Sequence, residues 1–121
     1  MAEKTILVVD DNDLNRDVER RILRHLGYEA DVAESGLQAL EMAGRTRYPM
    51  VLMDLTMPGM DGFEAARRMR ELEGYREARI IALTGADPDC LGLEAAIFNE
   101  VAEKPLSMES LRELVERHLG R

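Results

Sequence analysis

Five stretches of the chain read as β-strands, and segments with helical periodicity separate them. Thr5-Ile6-Leu7-Val8-Val9, Met50-Val51-Leu52-Met53 and Arg79-Ile80-Ile81-Ala82-Leu83 are nearly continuous apolar runs. Such runs, without polar alternation, predict strands buried on both faces. Tyr28 to Ala33 alternates instead, with Tyr28, Ala30 and Val32 on one face and Glu29 and Asp31 on the other. Glu100-Val101-Ala102-Glu103 is short and polar. These two predict half-exposed strands at the sheet edges.

The helices follow from caps and apolar spacing. Asn12 and Asp13 are N-cap residues, and Leu14, Val18, Ile22 and Leu26 then repeat at fours, with Leu23 widening the inward stripe. Ser35-Gly36-Leu37-Gln38 resembles a capping box and opens a second helix through Leu37, Leu40 and Met42. A third starts near Asp61 and presents Phe63, Ala66, Met69 and Arg70. Asp87 to Phe98 predicts only a weak helix, because it contains Pro88 and Gly92. Ser107 caps a last helix with Met108, Leu111, Leu114, Val115, His118 and Leu119 inward. Five strand–helix alternations predict an α/β fold: a (βα)5 doubly wound, parallel five-stranded sheet with helices on both faces. Polar second and fifth strands at the edges give the order 2-1-3-4-5, which puts ligands at the carboxyl ends of strands one and three.

The polar residues at the strand ends carry the candidate chemistry. Asp10 and Asp11 end the first strand, Asp54 the third, Thr84 the fourth and Lys104 the fifth. Asp54 is costly to bury alone, so it is expected to emerge at the rim before Pro58-Gly59 and Asp61-Gly62 turn the chain. Three carboxylates brought together repel by up to ~4 kcal/mol per close pair at an effective dielectric of ~20. A hard divalent cation resolves that repulsion, and Mg²⁺, with Mn²⁺ as a substitute, is the expected cofactor. The set then suits phosphoryl transfer, with Asp54 as the oxygen nucleophile, Lys104 as a second cation and Thr84 as a donor to a phosphoryl oxygen. Each residue alone has a plainer reading: an acidic helix start for Asp10 to Asp13, a turn former for Asp54, a strand end for Thr84, a solvated surface residue for Lys104. Their joint placement at strand ends of one consistent topology favours the chemical reading. The methionines at 42, 50, 53 and 69 are core filler, Cys90 is structural, and His25 and His118 lie on helices away from the strand ends.

Length and charge narrow the field. The 121 residues suffice for one domain over residues 1–121. No apolar run approaches the ~20 residues of a membrane span, and no signal-peptide pattern opens the chain. A lone cysteine and a net charge of −8 point to a reducing cytoplasm and away from nucleic-acid or anionic-lipid binding.

The chain resembles the receiver domains of two-component response regulators, a CheY-like, flavodoxin-like family. The markers are Ile6-Leu7-Val8-Val9-Asp10-Asp11-Asn12, Leu52-Met53-Asp54-Leu55-Thr56-Met57-Pro58-Gly59-Met60-Asp61-Gly62, Ala82-Leu83-Thr84 and Lys104-Pro105-Leu106. Val9 to Arg16 is especially similar to receivers of hybrid histidine kinases and of some single-domain regulators. The resemblance implies that Asp54 takes a phosphoryl group from a histidine kinase or a histidine phosphotransfer protein. It implies Mg²⁺ on Asp10, Asp11, Asp54 and the Thr56 backbone carbonyl, Lys104 against the phosphoryl group with a cis bond to Pro105, and Thr84 as the switch. It implies slow hydrolysis of the protein's own aspartyl phosphate rather than turnover of an external substrate, an unnamed downstream effector, and a monomer or weak dimer. The chain departs from the family at Val101, where an aromatic residue is usual, at Ile97, where Gly is common, and in a short interval from Thr84 to Lys104. The switch is therefore expected to run through Thr84 and the segment 87–104.

Three other functions compete. Asp11-Asn12-Asp13-Leu14-Asn15 approaches the D-x-D-x-[TV] of haloacid-dehalogenase-like phosphatases, but Asn15 breaks the motif. A flavin-binding electron carrier shares the topology, but Asp10-Asp11 would repel its phosphate. A pseudo-receiver that binds partners without phosphorylation is opposed by the intact acid set.

Overall fold

The computed structural model describes residues 5–55, 59, 61–85 and 92–120. The three apolar runs form the sheet's interior: β1 (Thr5–Val9), β3 (Met50–Asp54) and β4 (Arg79–Thr84). Ile6 to Val9, Met50 to Met53 and Ile80 to Leu83 are wholly buried, as strands covered by helices on both faces must be. The alternating segments form the edges, β2 (Glu29–Ala33) and β5 (Glu100–Glu103). The order is β2-β1-β3-β4-β5 with every pair parallel, as the sequence predicts.

The two-residue period of a strand divides the core into two halves. Leu7, Val9, Val51, Met53, Ile80 and Ala82 face α2 (Gly36–Arg45) and α3 (Gly62–Arg70), which pack through Ala39, Ala43, Ala65, Ala66 and Met69. Ile6, Val8, Met50, Leu52, Ile81 and Leu83 face α1 (Asp13–His25) and α4 (Met108–Leu119), which pack through Leu23, Leu111, Leu114 and Val115. Each helix opens on the expected cap: Asn12, Ser35, Asp61 and Ser107 all accept a backbone N–H three residues on.

The inward stripes differ in part from the prediction. Leu14 is 69% exposed and Val18 43%, whereas Glu19 and Leu23 are buried. Leu14 and Leu23 are nine residues apart, half a revolution around a 3.6-residue helix, so with Leu23 turned inward Leu14 faces out. Leu37 is exposed for the same kind of reason, and Ala39 and Ala43 take the sheet-facing positions of α2. On α4 the outlier is Met108, which is exposed.

The predicted weak helix at Asp87 to Phe98 is a 3₁₀ turn over Gly92–Ile97, and its first residues lie outside the described ones. Arg70 holds the end of this turn. Its guanidinium donates to the carbonyls of Ile97, Tyr75 and Ala78 and to Asn99 Oδ1. Asn99 Oδ1 also accepts the N–H of Ile80, tying the turn to β4. Phe98 is buried and meets Phe63 of α3 edge-on, with ring centroids 5.6 Å apart. No described helix is long and apolar enough to cross a membrane.

Candidate functional site

Because all strands run parallel, their carboxyl ends share one edge of the sheet. Asp10 leaves β1, Asp54 ends β3, Thr84 ends β4 and Lys104 follows β5. Hydrogen bonds extend the strand pairing to this edge: Asp10 N donates to Ala33 O, Leu55 N to Leu83 O and Lys104 N to Thr84 O at 2.7 Å.

Asp10 is only 1% exposed and is fixed from several sides. Its Oδ1 accepts the N–H of Asn12 at 2.9 Å, and its carbonyl accepts Arg16 Nη1 at 2.7 Å. Asp54 ends β3 at the rim of the sheet, as the sequence suggests, but its side chain is buried there rather than solvated. Lys104 offsets part of the cost of that burial. Its Nζ lies 3.3 Å from Asp10 Oδ2 and 3.4 Å from Asp54 Oδ1. Burial lowers the Lys104 pKa, but the charges of Asp10 and Asp54 together outweigh it and hold the ammonium above the usual lysine range. Asp11 is exposed, yet Asp10, Asp11 and Asp54 each offer a carboxylate oxygen within 4.8 Å of the others. Hard oxygen donors in that arrangement, with one side open, fit Mg²⁺.

The structure thus brings together Asp10, Asp11, Asp54 and Lys104, with buried Thr84 at the next strand end. The Thr56 carbonyl lies outside the described residues. The bond from Lys104 to Pro105 is cis, as the resemblance implies. Gly62 backs the site: a Cβ there would fall 2.4 Å from Asp54 O. Val101 is partly buried against the α2–α3 half of the core, and the buried aromatic residue of this region is Phe98 instead.

Sequence reasoning missed Glu19. It is buried on α1, and its Oε1 has no hydrogen-bond partner. Burial first, then the charge of Asp10, raises its pKa to about 7. It lines a largely apolar cavity of about 360 Å³ with Leu14, Asn15, Val18, Lys104, Pro105 and Leu106. The one signal in the sequence is its position one turn before Leu23, on the face that turns inward.

Carboxylates and a lysine gathered at the carboxyl edge of a parallel sheet are a donor set that suits a hard cation. The response regulator receiver domain model matches residues 6–116, and the chain belongs to that family. It is 36% identical over 123 residues to hybrid signal transduction histidine kinase F of Dictyostelium discoideum, covering 94% of this chain and 11% of that protein. It is 31% identical to the polar-differentiation response regulator DivK of Brucella ovis, with 97% of each chain covered. The receiver domain of sensor histidine kinase PA1611 from Pseudomonas aeruginosa superimposes with a TM-score of 0.86 at 34% identity, over 98% of this chain and 99% of that one. That structure has a magnesium ion coordinated in its active site cleft. The chain is therefore a CheY-like receiver domain, similar to those of response regulators and of hybrid histidine kinases.

Proposed function

We propose that Asp54 is the phospho-acceptor and that a phosphohistidine, on a kinase or a phosphotransfer protein, is the donor. An Asp54 carboxylate oxygen forms the new P–O bond. The P–N bond to the donor imidazole breaks, and the ring nitrogen keeps the electron pair. Asp10, Asp11, Asp54 and the Thr56 carbonyl are the groups that would hold Mg²⁺, with Mn²⁺ as a substitute. When bound, the ion offsets negative charge on the transferred oxygens. Lys104 would do the same, and Thr84 would offer a hydroxyl as a donor to the product. The observation that carries this reading is the position of Lys104 Nζ, 3.3 Å from Asp10 and 3.4 Å from Asp54 inside the acid cluster. A cation shared by two buried acids supports this reading, because a phosphoryl group arriving there needs its charge neutralised.

Exposed Leu14 and Val18 flank the cavity beside Lys104, which gives a donor protein an apolar surface next to the acceptor. Output then runs from Thr84 into the segment 87–104, toward an effector. Incubation with Mg²⁺ and acetyl phosphate, followed by intact mass measurement, tests the acceptor. One phosphoryl adduct is expected in the parent, with none in Asp54→Asn and none when Mg²⁺ is chelated. An adduct that persists in Asp54→Asn would refute the assignment. If acetyl phosphate gives no adduct, beryllofluoride binding read by NMR decides whether the acceptor pocket works.

A further inference from the structure

Among the described residues, the buried polar and charged side chains are Asp10, Glu19, Asp54 and Thr84. Three end strands at the site, and Glu19 has no part in the chemistry above. A buried carboxyl oxygen without a partner is unfavourable and calls for an explanation. Lys104 supplies one. It lines the same cavity, and its flexible stem lets the ammonium swing. Other nearby cations on α1 are committed: Arg16 to Asp13 and the Asp10 carbonyl, Arg20 and Arg21 to Asp17.

The present acceptors of Lys104 are also two of the three acids of the cation cluster. A divalent ion on Asp10 and Asp54 competes for the same oxygens and repels the ammonium. Asp10 cannot follow the lysine, because Asn12 and Arg16 fix its carboxylate and its backbone. We propose that Glu19 is a positioning residue for Lys104: its carboxyl takes up the ammonium when Asp10 and Asp54 turn to a divalent cation, and so keeps the lysine beside the site until a phosphoryl group arrives. This rests on the reading of the acid cluster as a Mg²⁺ site. Among the charges that act on Glu19, Asp10 and Asp54 oppose its ionisation, and Lys104 alone favours it.

Calorimetric titration with MgCl₂ of the parent, Glu19→Leu, Lys104→Met and the double variant tests the proposal. Glu19→Leu weakens Mg²⁺ binding roughly 3- to 10-fold in the parent, and less than about twofold in the Lys104→Met background, the signature of two residues acting as one. Glu19→Gln, which keeps an acceptor of the same shape, loses less than Glu19→Leu. Independently of any change at Glu19, its side-chain carboxyl ¹³C resonance moves on Mg²⁺ addition in the parent and less than half as far in Lys104→Met. An equal loss of affinity in both backgrounds would mean that Glu19 acts on the cation directly, and would overturn the proposal, as would no loss in either. If the parent binds no Mg²⁺, the cation-site reading itself fails. If it binds Mg²⁺ without coupling between the two residues, only the role of Glu19 fails.

Discussion

Gly62→Ala tests how the acceptor is held. Gly62 is the first residue of α3 and is buried against the end of β3. The added Cβ would lie 2.4 Å from the Asp54 carbonyl oxygen and 2.8 Å from Leu55 Cα. Both are backbone atoms, so no side chain can swing aside. The strand end or the first turn of α3 must move instead, and the Gly62 N–H to Leu55 carbonyl bond of 3.3 Å must lengthen. Overpacking of this kind costs ~1–3 kcal/mol. For a domain of this size that lowers Tm by about 3–15 °C. The effect on chemistry is larger in proportion. A shift near 1 Å at a reacting group costs up to ~100-fold in rate, so phosphorylation of Asp54 slows roughly 10- to 100-fold. Scanning calorimetry gives the Tm, and intact mass against time under Mg²⁺ and acetyl phosphate gives the rate. The two must fall together. A variant that melts within about 1 °C of the parent and labels at the parent rate would refute the steric argument.

Three further outcomes follow from the same contacts. A carboxyl raised from 4.5 to about 7 in the fold stabilises it fully below pH 4.5, and that stability, ~3 kcal/mol, is lost as pH rises through about 7. Glu19→Leu should thus gain on the parent between pH 5 and 8 in urea denaturation with EDTA present, and a flat difference would sink the burial argument. Arg70→Met leaves the Ile97, Tyr75 and Ala78 carbonyls without their donor and should cost about 2–4 kcal/mol; Arg70→Lys should recover little, since one ammonium cannot serve that fan of acceptors. Thr84→Ala should keep labelling but lose the amide-shift response to beryllofluoride, whereas Lys104→Ala should lose both; equal responses in Thr84→Ala and the parent would remove Thr84 from the switch.

The sheet was legible because its signals are local. Short continuous apolar runs such as Ile6 to Val9, bounded by polar residues, fit a strand covered on both sides, and the polar alternation of Glu29 to Ala33 fits an edge. Parallel topology then converts strand-end residues into neighbours, which is why Asp10, Asp54 and Lys104 could be grouped before their distances were known. Glu19 was not legible. An acid on α1 looks solvated until the rotation of the helix is fixed, and that rotation depends on Leu23 packing against the sheet rather than on the repeat at fours. The contact between Phe63 and Phe98 escaped for a related reason: it joins α3 to a 3₁₀ turn, whose geometry no apolar period announces. The buried state of Asp54 was missed because its compensating cation comes from fifty positions further along the chain.

Arg70 is a cation solvated by carbonyl and amide oxygens rather than paired with a carboxylate. No titration near neutrality and no modest rise in salt can unfasten it. It therefore fastens the Asn99 end of the connection between β4 and β5 to α3 by bonds that do not depend on a titrating partner. The carbonyls of Ile97, Tyr75 and Ala78 thus stay gathered on one guanidinium whatever the charge state of Asp10 and Asp54.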